Sequence, residues 1–173
     1  MDAVTPLAHH DSYPDALLRT VLTTVRTIAM VGASTNWNRP SHFVHKYLIA
    51  KGFRVIPVNP GAAGQALLGE TVVARLADIT DPVDMVDVFR APEAAPGIVE
   101  EAIAIGAKVV WMQLGVRHDA AAARAEAAGL TVIMNRCPKI EFARLTGELG
   151  WSGLDTGLVS SKRPLLPKRS WRS

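Results

Sequence analysis

Between Gly32 and Ser41 the chain reads GASTNWNRPS, a run whose residue types suit the capture of an anion. Gly32 lets backbone come close to a ligand, and Ser34 and Thr35 carry hydroxyls. Asn38-Arg39-Pro40-Ser41 reads as a helix start, whose free N–H groups and positive dipole end attract a negative group. Arg39 adds a planar donor pair matched to phosphate oxygens, and Arg90, at a Phe89-Arg90 corner further on, supplies a second cation. Two nucleotide fingerprints are missing. GASTNW does not complete G-x-G-x-x-G, and Asn59 stands where an acid would accept the ribose hydroxyls of a nicotinamide or flavin dinucleotide. G-x-x-x-x-G-K-[ST] is absent, which removes support for ATP or GTP hydrolysis. What remains is an adenine nucleotide bearing phosphates.

Other reactive residue types form no catalytic set. Cys137 precedes a proline and a predicted helix, a place that favours a thiolate, so a mixed disulfide or a nucleophilic role stands beside the plainer reading of a small buried turn residue. No neighbouring sequence supplies it with a base or a resolving thiol. His42 and His45 share a helix face without a Cys, Asp or Glu at a ligand spacing, so no metal is expected there, and they read as exposed or flanking the loop. His9 and His10 belong to an N-terminal arm, and His118 to a helix start. Trp37 stands where it could stack on an adenine, whereas Trp111, inside an apolar run, reads as core. Asp84 and Asp87 read as solvated or helix-capping acids.

The elements that position these residues follow from hydrophobic patterning. Short apolar, β-branched runs recur at 27–32, 54–59, 83–89, 108–115 and 131–135, with helical segments predicted at about 14–26, 40–51, 94–105 and 118–128, a shorter one near 71–77 and one after Pro138. Five buried strands alternating with helices predict a doubly wound α/β architecture of Rossmann type, a parallel sheet of about five strands with helices on both faces. Gly52, Gly106 and Gly129 mark helix ends. In such a sheet ligands gather beyond the carboxyl ends of the strands. The residues to watch are therefore Gly32-Ala33-Ser34-Thr35, Asn59-Pro60-Gly61, Phe89-Arg90-Ala91-Pro92, Leu114-Gly115-Val116 and Asn135-Arg136-Cys137-Pro138.

Composition narrows the classes. The 173 residues are 49% hydrophobic and 20% charged, suited to one folded domain, and a lone cysteine excludes an internal disulfide and fits a cytoplasmic setting. No apolar run spans a bilayer and no basic-then-apolar leader opens the chain, so neither membrane insertion nor export is expected. The net charge of +3 comes from the end of the chain. Five of the 19 basic residues follow Asp155, which leaves 14 against 16 acids. The body is slightly acidic, which argues against nucleic acid. The boundaries read as an N-terminal helix or arm over 1–26, a nucleotide-binding domain over 27–150, and a basic tail over 151–173 ending SSKRPLLPKRSWRS, a solvated terminus or a docking arm.

Four stretches taken in order carry a resemblance: VGAS with NRPSHFVHKYLIAKGFRVIPVNPG, then PVDMVDVFRAPE, VVWMQLGV, and MNRCPKIEFARL. Over about 27–146 the chain resembles the small stand-alone CoA-binding proteins, whose fold is similar to the CoA-binding domain of the succinyl-CoA synthetase α subunit. The resemblance implies coenzyme A as the bound cofactor, with CoA or acyl-CoA as the partner. It implies that Gly32, Ala33, Ser34, Arg39, Pro40 and Ser41 surround the CoA phosphates and that Val58, Asn59 and Pro60 line the adenosine side. Phe89 and Arg90 would lie against the nucleotide, and Leu114, Gly115 and Val116 along the pantetheine path. The synthetase subunit continues into a second domain with a phosphorylated histidine, and 173 residues are expected to leave no room for one. Asn135 replaces an Asp before the Arg-Cys pair and Phe142 replaces a His, so no acid–base role is carried over. The expectation is a CoA-binding module with no catalytic residues. The alternative is an acyl-CoA-using enzyme or one part of a split synthetase or transferase with thiol chemistry at Cys137, and either a homodimer or a partner protein is compatible.

Overall fold

Each of the five apolar runs forms a strand, and together they make one parallel sheet. The structure is a computed structural model that describes residues 7–148. A short 3-10 turn, Ala8–His10, leads into α1 (Asp15–Thr24), followed by β1 (Thr27–Val31), α2 (Pro40–Ala50) and β2 (Arg54–Val58). A small hairpin of β3 (Ala66–Leu67) and β4 (Glu70–Thr71) comes next. Then follow β5 (Met85–Val88), α3 (Ala95–Ala104), β6 (Val109–Met112), α4 (Asp119–Ala127), β7 (Thr131–Ile133) and α5 (Pro138–Leu145). The strand order is β2-β1-β5-β6-β7. Chain direction across the sheet reverses at β1, so the crevice between the carboxyl ends of β1 and β5 is the switch point of a doubly wound sheet. The basic segment 151–173 lies outside the described residues.

Alternation along the strands sends side chains to two cores. Ile28, Met30, Val55, Met85, Trp111 and Ile133 meet α1, α2 and α5 through Leu22, Val44, Leu48, Phe142 and Leu145. Ala29, Val58, Val86, Val88, Val110, Met112 and Val132 meet α3 and α4 through Ile98, Val99, Ala102, Ala121, Ala122 and Ala125. Small alanines let α3 and α4 lie close to each other and to the sheet. α1 belongs to the first of these layers and packs beside α5. No described helix is long and apolar enough to cross a membrane.

The predicted helix ends stand. Beyond α2, α3 and α4 the amides of Phe53, Ala107 and Leu130 bond back to the carbonyls of Leu48, Ala102 and Ala125 at 3.1, 3.0 and 3.0 Å, the longer bond of a Schellman closure. The short helix expected near 71–77 is not there. Val72 and Val73 run extended instead, with Val73 N–H donating to Pro57 O at 3.0 Å and Asn59 N–H to Val73 O at 2.9 Å, and only Leu76–Asp78 turns, as 3-10. Two β-branched residues beside the exposed edge of β2 gain more from pairing with that edge than from a single helical turn.

Gly32 is fixed by two independent demands. Its φ of +89° lies in the left-handed region, and a Cβ there would sit 2.4 Å from the carbonyl oxygen of Phe89. The chain leaving β1 thus passes directly over the end of β5, and Gly32 N–H donates to Val58 O at 2.9 Å on the other side. Gly32→Ala is expected to lower the unfolding free energy by about 3 kcal/mol or more, since strain and a clash with backbone add. Urea unfolding measures it, and a loss below about 1 kcal/mol would contradict the close approach.

Candidate functional site

The loop after β1 is built by its own side chains. Ser34 Oγ accepts from Asn36 N–H at 3.1 Å, Asn36 Oδ1 accepts from Asn38 N–H at 3.0 Å, and Arg39 N–H donates to Asn36 O at 3.0 Å. These short turns carry the chain from Gly32 to α2, where Pro40 occupies the first helical turn and Arg39 the cap position. No side chain among the described residues caps that helix start. Asn59 braces the loop from β2: its Nδ2 donates to Ala33 O at 2.8 Å and its Oδ1 accepts from Gly61 N–H at 2.9 Å. Asn59, standing where a ribose-binding acid would, is therefore a strut holding the loops after β1 and β2 together.

Two cavities open at this edge. The first, about 390 Å³, is lined by Gly32, Ser34, Arg39, Pro40, Ser41, Asn59, Phe89 and Arg90. The second, about 280 Å³, shares Gly32 and Arg90 with it and continues over Val31, Val58, Pro60 and Leu76 to Ile98, with Arg75 and Glu101 at its rim. The first is bordered by cations and a helix start, the second by apolar side chains. Arg39 and Arg90 have no acidic partner among the described residues, as holds also for Arg19, Arg26 and Arg136 away from both cavities, whereas Arg54, Arg75, Arg117, Arg124 and Arg144 each sit in an ion pair. The cleft holds uncompensated positive charge.

Ala33 contributes its carbonyl to the Asn59 brace and is itself buried. Leu114, Gly115 and Val116 line neither cavity. Leu114 is exposed, Val116 packs into the α3/α4 core, and Gly115 N–H donates to Asn135 Oδ1 at 2.8 Å, with Asn135 at a φ of +53°. Trp37 is 68% exposed and also stands apart from both cavities.

Residues 26–143 match the CoA binding domain family. The chain belongs to it. The chain is 38% identical over 128 residues to YneT of Bacillus subtilis (strain 168), covering 74% of this chain and 93% of that protein, whose function is described as uncharacterized. A hypothetical protein from Pyrococcus horikoshii OT3 superposes with a TM-score of 0.74 at 38% identity, over 84% of this chain and 99% of that one. The acetyl-coenzyme A synthetase 1 of Ca. Korarchaeum cryptofilum, in a complex with phosphate and ADP, superposes at 0.58 with 22% identity over 70% of this chain and 28% of its own. At that identity the likeness is one of fold.

Two polar groups expected at the surface or beside the loop, Asp87 and His45, are buried, as is Cys137. Asp87 is fully buried on β5; its Oδ1 accepts from Gln113 Nε2 at 2.8 Å, and its Oδ2 has no hydrogen-bond partner among the described residues. Burial pushes its pKa up to about 7, against the smaller opposing pull of Gln113. His45 is likewise buried, on the inner face of α2, and neither ring nitrogen makes a well-formed hydrogen bond among the described residues. Burial lowers its pKa to about 4. Cys137 is buried at the start of α5. Desolvation raises its thiol pKa, and the N–H groups of Ile140 and Lys139 and the charge of Lys139 only partly offset this, while Asp87 adds to the rise. A protonated, covered thiol is a poor nucleophile.

The shifts of Asp87 and His45 oppose each other. Asp87, raised from 3.8, contributes stability present below about pH 3.8 and lost as pH climbs towards 7. His45, lowered from 6.5, contributes stability present above 6.5 and lost as pH falls towards 4. Asp87→Asn removes the first slope, so relative to wild type the variant gains stability from pH 4 to 7 and levels off above it. Chemical unfolding at pH 4, 5.5 and 7.5 reads this, and a constant difference across that range would mean Asp87 titrates normally. Cys137 is expected to react with a soluble thiol reagent about tenfold or more faster in urea than in the native chain, and equal rates would place it at the surface.

Proposed function

We propose that the two-part cleft binds coenzyme A or an acyl-CoA, and that the chain serves as a binding module. The observation that carries this reading is the pair of arginines without acidic partners, Arg39 and Arg90, set beside an uncapped helix start at the sheet's switch point. CoA carries a diphosphate and a 3′-phosphate, more negative charge than a dinucleotide, which suits two cations and no ribose-binding acid. The charged cavity takes the phosphates and the adjoining apolar one, over Val58 and Pro60, the adenosine. The pantetheine arm leaves across the sheet edge toward exposed Leu114 and the turn at Gly115 and Val116. A cytoplasmic setting fits the lone thiol.

A second reading has the chain acting with a partner protein as one part of an acyl-CoA synthetase or transferase. The fold shared with the acetyl-coenzyme A synthetase favours it. The thiol version of that reading would need Cys137, whose burial counts against it.

Calorimetry with CoA, acetyl-CoA and dephospho-CoA tests the binding reading. Arg39→Ala and Arg90→Ala should each weaken CoA about 10-fold to 100-fold, the worth of a charge-assisted hydrogen bond, and the loss should shrink at high salt. If the wild type takes up neither CoA nor acetyl-CoA, the reading fails.

A further inference from the structure

Outside both cavities, where the N-terminal turn meets the end of α4, His9, His10 and Glu126 bring one ligand atom each to within 4.8 Å of one another. His9 Nε2 lies 3.0 Å from Glu126 Oε1 and 3.2 Å from Oε2, and His10 Nε2 lies 3.0 Å from the same Oε1. His10 is almost wholly buried, and its Nε2, off the hydrogen-bond direction of that oxygen, has no hydrogen-bond partner among the described residues. We propose that His9, His10 and Glu126 bind a borderline divalent cation of the zinc class.

Two imidazoles and a carboxylate, with an open fourth position, form a recognised zinc donor set. Ligand atoms about 2.0 Å from a tetrahedral ion lie about 3.3 Å apart, close to the nitrogen–oxygen separations here. The open position faces solvent, because the His9 side chain is 58% exposed and that of Glu126 33%. The two rings, with centroids 4.1 Å apart, leave little room for two imidazolium charges side by side, whereas one divalent ion satisfies both nitrogens at once.

Support from behind the ligands is also present. His10 Nδ1 lies 2.7 Å from the Tyr13 hydroxyl, which accepts from Met134 N–H at 2.8 Å and has a second lone pair for an Nδ1–H. That contact would fix the ring with Nε2 free to ligate. The turn itself is anchored to the same region, with Leu7 N–H donating to Asp119 Oδ1 at 2.9 Å and Arg117 reaching Asp11 at 2.7 Å. An ion held here would tie residues 9 and 10 to residue 126 and hold the N-terminal turn on α4.

The test uses the full untagged chain, stripped with EDTA and dialysed. Titration with zinc by calorimetry should give one equivalent and raise the unfolding midpoint, and cobalt should give visible absorption of a tetrahedral complex. Glu126→Gln and His9→Asn should each bind zinc at least about tenfold more weakly. His9, at the surface, keeps the test readable should the Glu126 variant fail to fold. Zinc that leaves the wild-type midpoint unchanged, or that binds either folded variant as tightly as the wild type, overturns the site.

Discussion

The approach of Gly32 to the end of β5 is the contact on which the rest of the site depends. A missing Cβ lets the chain leaving β1 cross close over the Phe89 carbonyl at the end of β5, and from there the loop runs on to α2. Asn59 then ties that loop to β2 through the Ala33 carbonyl. The cleft's shape is thus set by backbone groups on three adjacent strands, β2, β1 and β5. A side chain at position 32 would push these apart before it touched any ligand.

Charge is distributed to match. Half of the described arginines are neutralised by a neighbouring acid, some of them by two carboxylates, such as Arg54 with Glu70 and Asp81, or Arg117 with Asp11 and Asp119. Exposed pairs of this kind add little stability, but they remove long-range positive field. At the cleft that field survives, where Arg39 and Arg90 stand beside the dipole end of α2. An anion there would satisfy helix N–H groups that no side chain caps, so ligand affinity and the stability of α2 would be coupled through the same hydrogen bonds.

What was legible in the sequence was whatever is local. Strand runs, the glycine helix ends and the GAS to NRPS turn are each specified within about ten residues, and the doubly wound order follows from their alternation. The loop residues Gly32, Ser34, Arg39, Pro40 and Ser41 were therefore visible together, as was the Phe89-Arg90 corner. The errors came where long-range pairing decides. Val72 and Val73 look like a short helix until β2 offers them an edge. Asp87 and His45 look like surface residues because their types are polar, and only the facing helices show that both are enclosed. The brace formed by Asn59 has no sequence signal, since it needs Ala33 brought 2.8 Å from its amide across 26 positions.

The two faces of the sheet carry different burdens. The α3/α4 side is filled by Val, Met, Ile, Leu and Ala, and a buried ionisable group, His10, lies at its margin beside Glu126 of α4. The other side encloses Asp87, His45 and Cys137 among its aromatics and leucines. Exposure to water would return Asp87 and His45 towards their ordinary pKa values, so this layer loses more than hydrophobic contact if α2 or α5 lifts. α2 is also the helix whose first turn lines the charged cavity. Any ligand held at that turn adds its binding energy to the helix that keeps His45 dry, which places the least tolerant part of the core under the part of the surface best suited to be stabilised from outside.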